Sequence, residues 1–125
     1  MITGKVTAER EAIVRVKVRP PRGRSQTVEA ILDTGFTEFL ALPLDRIAAL
    51  GLPFRCTQRM FLADGSEATL AVYRGVVSWH SLPLLVPVLA IEGAALVGMA
   101  LLEGSQVGMD VVEDGQLRIE PITEP

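Results

Sequence analysis

From Val14 to Arg19 the chain alternates without exception: Val14, Val16 and Val18 against Arg15, Lys17 and Arg19. A period of two puts one face in a core and the other in water, which a strand does and a helix cannot. Breakers then keep every such run short. The loop PPRGRSQ (Pro20 to Gln26) ends it, Val28 to Leu32 is the next strand, and Phe39 to Leu42 is another short one. From Arg59 to Trp79 two strand-like runs flank ADGS, where Asp64-Gly65 is a strong hairpin signal. Leu84 to Ile91 reads as a buried strand carrying Pro87, which predicts an edge or a bulge. After AALVGMALLEG, a strand, a glycine and a helical turn, the chain closes as a hairpin around Asp114-Gly115. The clearest helix is Pro43 to Gly51. Pro43 suits its first position, Leu44, Ile47 and Ala48 form its apolar face, and Gly51 stops it. Short strands at turn-punctuated spacing, with one or two short helices, predict an all-β barrel or sandwich.

The 125 residues are enough for one core and short for two, so 1–125 reads as a single domain. With 49% apolar and 22% charged residues the chain has the balance of a globular protein. A net charge of −3 and 5% aromatic residues give neither the electrostatic footprint nor the stacking platforms of a nucleic-acid binder. The one basic cluster, Arg15, Lys17, Arg19, Arg22 and Arg24, reads as a solvated strand face and loop. The start, MITGKVTAER, lacks the apolar core of a signal peptide, and no run reaches the roughly 20 residues of a membrane helix. A lone cysteine, Cys56, allows no internal disulfide and fits a reducing compartment; it reads as a buried, inert thiol. The expectation is a soluble cytoplasmic protein. His80 has no companion at ligand spacing and reads as a surface turn residue, so no metal is expected.

One stretch resists a purely structural reading. In AILDTGFTEFLALP one carboxylate, Asp33, stands directly between the apolar run Ala30, Ile31 and Leu32 and a Thr-Gly pair. Partial desolvation of an ionised Asp is costly without a partner. Either Asp33 is a turn residue accepting backbone N–H groups, as Asp-x-Gly commonly is, or the chain bears that cost for chemistry.

Ile31, Leu32, Asp33, Thr34 and Gly35 resemble the active-site loop of the retropepsin-like aspartic proteases. Further features follow in that family's order. The hairpin tip Ala63, Asp64, Gly65 and Ser66 resembles the flap. Leu96, Val97 and Gly98 resemble the apolar-apolar-Gly element before the late helix, here Met99 to Glu103, and the terminal hairpin resembles the interface segment. The likeness spans almost the whole chain, although only Asp-Thr-Gly is sharp.

The resemblance implies a small closed acid-protease barrel and a homodimeric aspartic endopeptidase. Two carboxylates face one another and share a water and a proton, because like charges that close do not both ionise easily. One carboxylate takes a proton from the water while the other, protonated, polarises the scissile carbonyl. Neither Asp64-Gly65 nor Asp114-Gly115 follows an apolar strand with Thr or Ser between, so one chain supplies one catalytic Asp. The dyad then requires a second copy, related by a two-fold axis between the two Asp33 loops. By resemblance, Thr34 bonds across to the partner loop, Gly35 allows close backbone approach, and Phe36, Ala63, Asp64, Gly65, Ser66, Val97 and Gly98 contact an extended peptide or protein substrate. No cofactor is implied. Phe36 departs from the small residue usual after Asp-Thr-Gly, and Met99 stands where viral members often carry Arg. Phe36 favours the alternative, a non-catalytic module of the same fold used for dimerisation or peptide binding.

Overall fold

The structure, a computed structural model, describes residues 1–123; the last two residues of the expected 1–125 domain lie outside the described residues. Its elements run β1 (Ile2–Val6), β2 (Ala12–Arg19), β3 (Gln26–Leu32), β4 (Leu40–Pro43), α1 (Leu44–Leu50), β5 (Phe54–Phe61) and β6 (Glu67–Trp79). There follow β7 (Leu82–Ile91), β8 (Leu96–Val97), α2 (Met99–Leu102), β9 (Ser105–Met109) and β10 (Gln116–Pro121). The alternation in β2 does what its period requires. Val14, Val16 and Val18 are at most 2% exposed, while Arg15 and Lys17 lie in solvent.

The strands form one sheet in the order β5-β6-β7-β4-β8-β3-β2-β1-β10-β9, and a further pairing of β2 with β6 closes six of them into a barrel. Closure depends on β2 serving two neighbours on one edge. Its first residues pair with β1 (Gly4↔Val14 to Val6↔Ala12) and its last with β6 (Lys17↔Ser78 to Arg19↔Val76). Valine, leucine and isoleucine from every wall fill the interior, among them Val28, Leu40, Val77, Val88 and Val97. Two parts project from the barrel: the β5–β6 hairpin, and the sheet extension β1-β10-β9.

Several expectations need correction. β7 is neither an edge strand nor bulged at Pro87, since it pairs with β6 on one side and with β4 on the other. The ladder tolerates the proline for a local reason. Arg74, opposite Pro87, donates its N–H to Pro53 O, away from β7, so this pair exchanges no bonds. The missing N–H of Pro87 therefore points to the other side, where β4 begins only opposite Val88. In α1, Pro43 is the N-cap rather than the first helical residue, and the buried positions are Ile47 and Leu50 while Leu44 is 56% exposed. Gly51 ends the helix in the left-handed region, as read. Cys56 is exposed, not buried, because β5 is the free edge of a hairpin that has left the barrel. β1, a strand the pattern did not reveal, is short and carries Gly4 where Ile13 O leaves no room for a Cβ.

Candidate active site

Strands β3 and β4 are consecutive in sequence but not neighbours in space, because β8 lies between them. Residues 33–39 must therefore arch over the end of β8, and this topology positions everything that follows. β3 and β8 run parallel (Ile31↔Leu96, Leu32↔Val97), with Ile31 N–H donating to Ala95 O at 2.8 Å and Asp33 N–H to Val97 O at 2.9 Å. Beyond β8 the arch is tied to the start of α2. Gly98 N–H donates to Phe39 O (3.1 Å), Met99 N–H to Phe36 O (2.8 Å) and Ala100 N–H to Glu38 O (3.2 Å). Loop carbonyls thus satisfy the first N–H groups of α2, which a helix cannot pair by itself.

Asp33 sits at the foot of the arch, half-buried. Its Oδ1 accepts the Gly35 N–H at 2.9 Å, the bond an Asp-x-Gly turn forms, which fixes the carboxylate's rotation. Neither ion pair among the described residues, Arg15–Glu29 or Arg118–Asp110, involves it. So the carboxylate is oriented, partly open to solvent and without an ion-pair partner among the described residues. Both expectations for Asp33 are compatible here, because a turn bond to one oxygen leaves the other available.

Phe36 does not stand over Asp33 as a free ring. It packs against a small cluster of Ala41, Val72 and Leu89 together with Met60, Leu70, Ile91 and Leu96, under the root of the β5–β6 hairpin. The same ring presses on Gly98: a Cβ there would lie 2.6 Å from Phe36 Cδ2 and 2.7 Å from Phe36 O, and closer still to Glu38 O. Val97 and Gly98 were expected against substrate; Val97, 0% exposed, lies in the barrel core, and Gly98, also buried, faces the underside of the arch.

The hairpin tip folds as its Asp-Gly requires. Gly65 takes the left-handed φ of +85°, Leu62 N–H donates to Ser66 O, and Asp64 Oδ1 accepts both the Ser66 N–H (2.9 Å) and the Ser66 hydroxyl (2.5 Å). Those two bonds, the hydroxyl first, hold the Asp64 carboxyl below its ordinary pKa. Ala63, Asp64, Gly65 and Ser66 are all exposed and bond only within the tip and its strands. Glu38, which the sequence reading passed over, joins the arch to the hairpin, its Oε1 accepting from Gln58 Nε2 at 3.4 Å. Nothing in its local sequence marks it; only the crossing over β8 brings residues 38 and 58 together.

On the other side of the arch Thr34 is exposed and lines a groove of about 720 Å³ with Leu32, Met99, Val107 and Met109. His80, in the β6–β7 turn, is half-buried rather than free on the surface, with Nε2 2.8 Å from Ser105 Oγ. Burial, and then the α-amino group of Met1, lower its pKa. Among the described residues no cluster of His, Cys, Asp or Glu has the makings of a metal site, and no helix is long and apolar enough to cross a membrane.

No family model matches the chain, and no curated protein matches it. Among solved structures it is similar to a retropepsin-like aspartic protease from Rickettsia conorii, at 16% identity and a TM-score of 0.58, over 98% of this chain and 91% of that one. That likeness shows the retropepsin-like fold.

Proposed function

We propose that this chain, built on the retropepsin-like fold, is a homodimeric aspartic endopeptidase that hydrolyses extended peptides between the Asp33 carboxylates of two copies. The observation that carries the reading is the placement of Asp33. It stands at the end of β3, where the chain turns to pass over β8, oriented by the Gly35 N–H, half-open to solvent and unpaired by any cation among the described residues. With one such carboxylate per chain, a second copy must supply the other.

In the dyad one Asp33 carboxylate removes a proton from the shared water, whose oxygen attacks the peptide carbonyl. The protonated partner carboxyl donates a hydrogen bond to that carbonyl oxygen as it gains charge. Collapse of the tetrahedral intermediate passes a proton to the leaving amine. Thr34, exposed beside Asp33, bonds across to the partner's loop, and Gly35 holds the carboxylate's rotation. The hairpin tipped by Ala63, Asp64, Gly65 and Ser66 closes over the substrate and excludes water. Phe36 packs against Ala41, Val72 and Leu89 under the hairpin, which supports the catalytic reading over the binding module. The exposed Cys56 thiol favours a reducing, cytoplasmic setting.

The test is a peptide-library digestion by wild type and Asp33→Asn, at several pH values, with oligomeric state followed in parallel. We expect cleavage by the wild type and a loss of at least about 10³-fold in the variant, the scale of removing acid–base chemistry. A folded wild-type dimer that cleaves nothing at any pH would instead make the chain a peptide-binding module.

A further inference from the structure

Charge in this chain is segregated. Residues 12–28, 52–63 and 68–91 carry eight of its twelve Lys and Arg and none of its fifteen Asp and Glu. The fold brings much of that basic sequence onto one outer wall of the barrel. Val18 and Val77, both 0% exposed, pair across β2 and β6 with their side chains inside. Lys17 and Arg19, and opposite them Ser78 and Val76, therefore stand on the outer face, because neighbours along a strand alternate and opposed residues share a side. On β7 the same face carries Pro83, Leu85 and Pro87, opposite Ser78, Val76 and Arg74.

Two hollows open on this wall. Arg55 and Arg74 line one of about 320 Å³ with Leu85 and Pro87, and Lys17 and Arg19 line another of about 240 Å³ with Val76 and Pro83. Leu85, 64% exposed and opposite Val76, stands between them. Arg15, farther along β2, has Glu29 as an ion-pair partner, but among the described residues Lys17, Arg19, Arg55 and Arg74 have none. Arg19 Nη1 donates to Pro20 O and Pro21 O, neutral acceptors that leave the charge in place. Like charges around one hollow repel each other, and an anionic occupant relieves that repulsion.

We propose that this wall binds an extended acidic segment of a partner protein, with a carboxylate in each hollow and an apolar side chain between them against Leu85. From Arg74 to Ser78 is four residues of β6, about 13 Å at the rise of a strand. An extended peptide separates side chains i and i+4 by the same length and turns i+2 to the same side. The pattern that fits is therefore acid-x-apolar-x-acid. A nucleic-acid strand has the charge but no apolar group for Leu85, and Phe54 and Tyr73, next in sequence to Arg55 and Arg74, pack edge-to-face on each other rather than offering a stacking platform. A bilayer calls for several protruding apolar side chains, and on the β7 face Leu85 stands alone between two prolines. Neither hollow includes a residue of the Asp33 arch, so the inference goes beyond the proteolytic reading and does not depend on it.

Fluorescence anisotropy tests it with the intact chain carrying Asp33→Asn, so that no cleavage consumes the probe. The probe is a labelled peptide containing Glu-Thr-Leu-Thr-Glu, and its control has Gln in place of both Glu. The acidic peptide should bind at least about 10-fold more tightly than the control, and added salt should weaken it. Arg74→Gln and Lys17→Gln, one from each hollow, should each weaken binding about 10-fold, while Arg118→Gln, outside the wall, should leave it unchanged. Should either wall variant fail to fold, Leu85→Ser at its exposed position serves, with a weakening of at least about 3-fold. Equal binding of the two peptides would overturn the inference, as would wall variants that bind like the parent, or no binding at up to about 1 mM peptide. Capture of phosphatidylglycerol vesicles or a single-stranded oligonucleotide through the same residues, without the peptide, would overturn it as well. None of these readouts needs activity, so a chain that cleaves nothing would remove the proteolytic reading and leave this inference standing.

Discussion

Two glycines flank the candidate site, and they should respond very differently to a methyl group. A Cβ on Gly98 would meet Glu38 O, Phe36 Cδ2 at 2.6 Å and Phe36 O at 2.7 Å. Two of these are backbone atoms of the arch, which cannot rotate away. Its φ of −105° is open to any residue, so the cost of Gly98→Ala is steric rather than conformational. Relief requires the arch to lift from β8, stretching the bonds from Gly98, Met99 and Ala100 to Phe39, Phe36 and Glu38. Overpacking costs about 1–3 kcal/mol and each weakened bond up to about 1 kcal/mol, so a loss of about 3 kcal/mol is expected. For a chain of this length that is a fall of about 12 °C in Tm. A Cβ on Gly35 would meet only Asp33 Oδ1, at 3.2 Å, a side-chain atom that can yield. Gly35→Ala should therefore cost under about 1 kcal/mol of stability. The assay is thermal unfolding of both variants by circular dichroism at one fixed protein concentration, since dimer formation also shifts Tm. A Gly98→Ala protein melting within about 4 °C of wild type would refute the packing argument. Equal losses at the two positions would refute it as well.

Two further outcomes follow from local geometry. Ser66→Ala removes the hydroxyl bond to Asp64 but keeps the backbone N–H, so the Asp64 pKa should rise part of the way back to 3.8 in a carboxyl NMR titration; an unchanged pKa would dismiss the bond. A depressed carboxylate pKa stabilises the fold above the unfolded value and the effect is lost as pH falls through the folded value, so the variant's deficit should vanish below that range. Ser81 holds φ +65° beside His80 at +50°, a two-residue turn that costs a side-chain-bearing residue about 1–2 kcal/mol at each position. Ser81→Gly, after the entropy of glycine, should add about 0.5–1 kcal/mol and raise Tm by about 2–4 °C; a lower Tm would contradict it.

Much of the architecture was legible because its signals are local. The alternation of Val14, Val16 and Val18 against basic residues determines a strand and which face is buried, since a side-chain period of two needs no distant partner. Asp64-Gly65 likewise specifies the hairpin tip through the one residue type that takes positive φ at no cost. Asp33, Thr34 and Gly35 were singled out by motif, and the structure adds the bond that orients the Asp33 carboxylate. Where local signals are absent or shared between outcomes, the reading failed. Pro87 excludes one N–H from the ladder, but which side that N–H would face depends on strand pairing. Cys56 has apolar chemistry whether or not a strand edge leaves it exposed.

The sequence by itself determined short strands, their turns, and a lone carboxylate at the end of an apolar strand, because each rests on neighbours within a few residues. Only the tertiary structure decided what surrounds that carboxylate. Inserting β8 between β3 and β4 forces the arch over Gly98, turns Phe36 beneath the hairpin, sets Glu38 against Gln58 and leaves Thr34 facing the β9 groove. Those contacts join residues 20 to more than 60 positions apart in sequence, and no local propensity encodes which of them will meet.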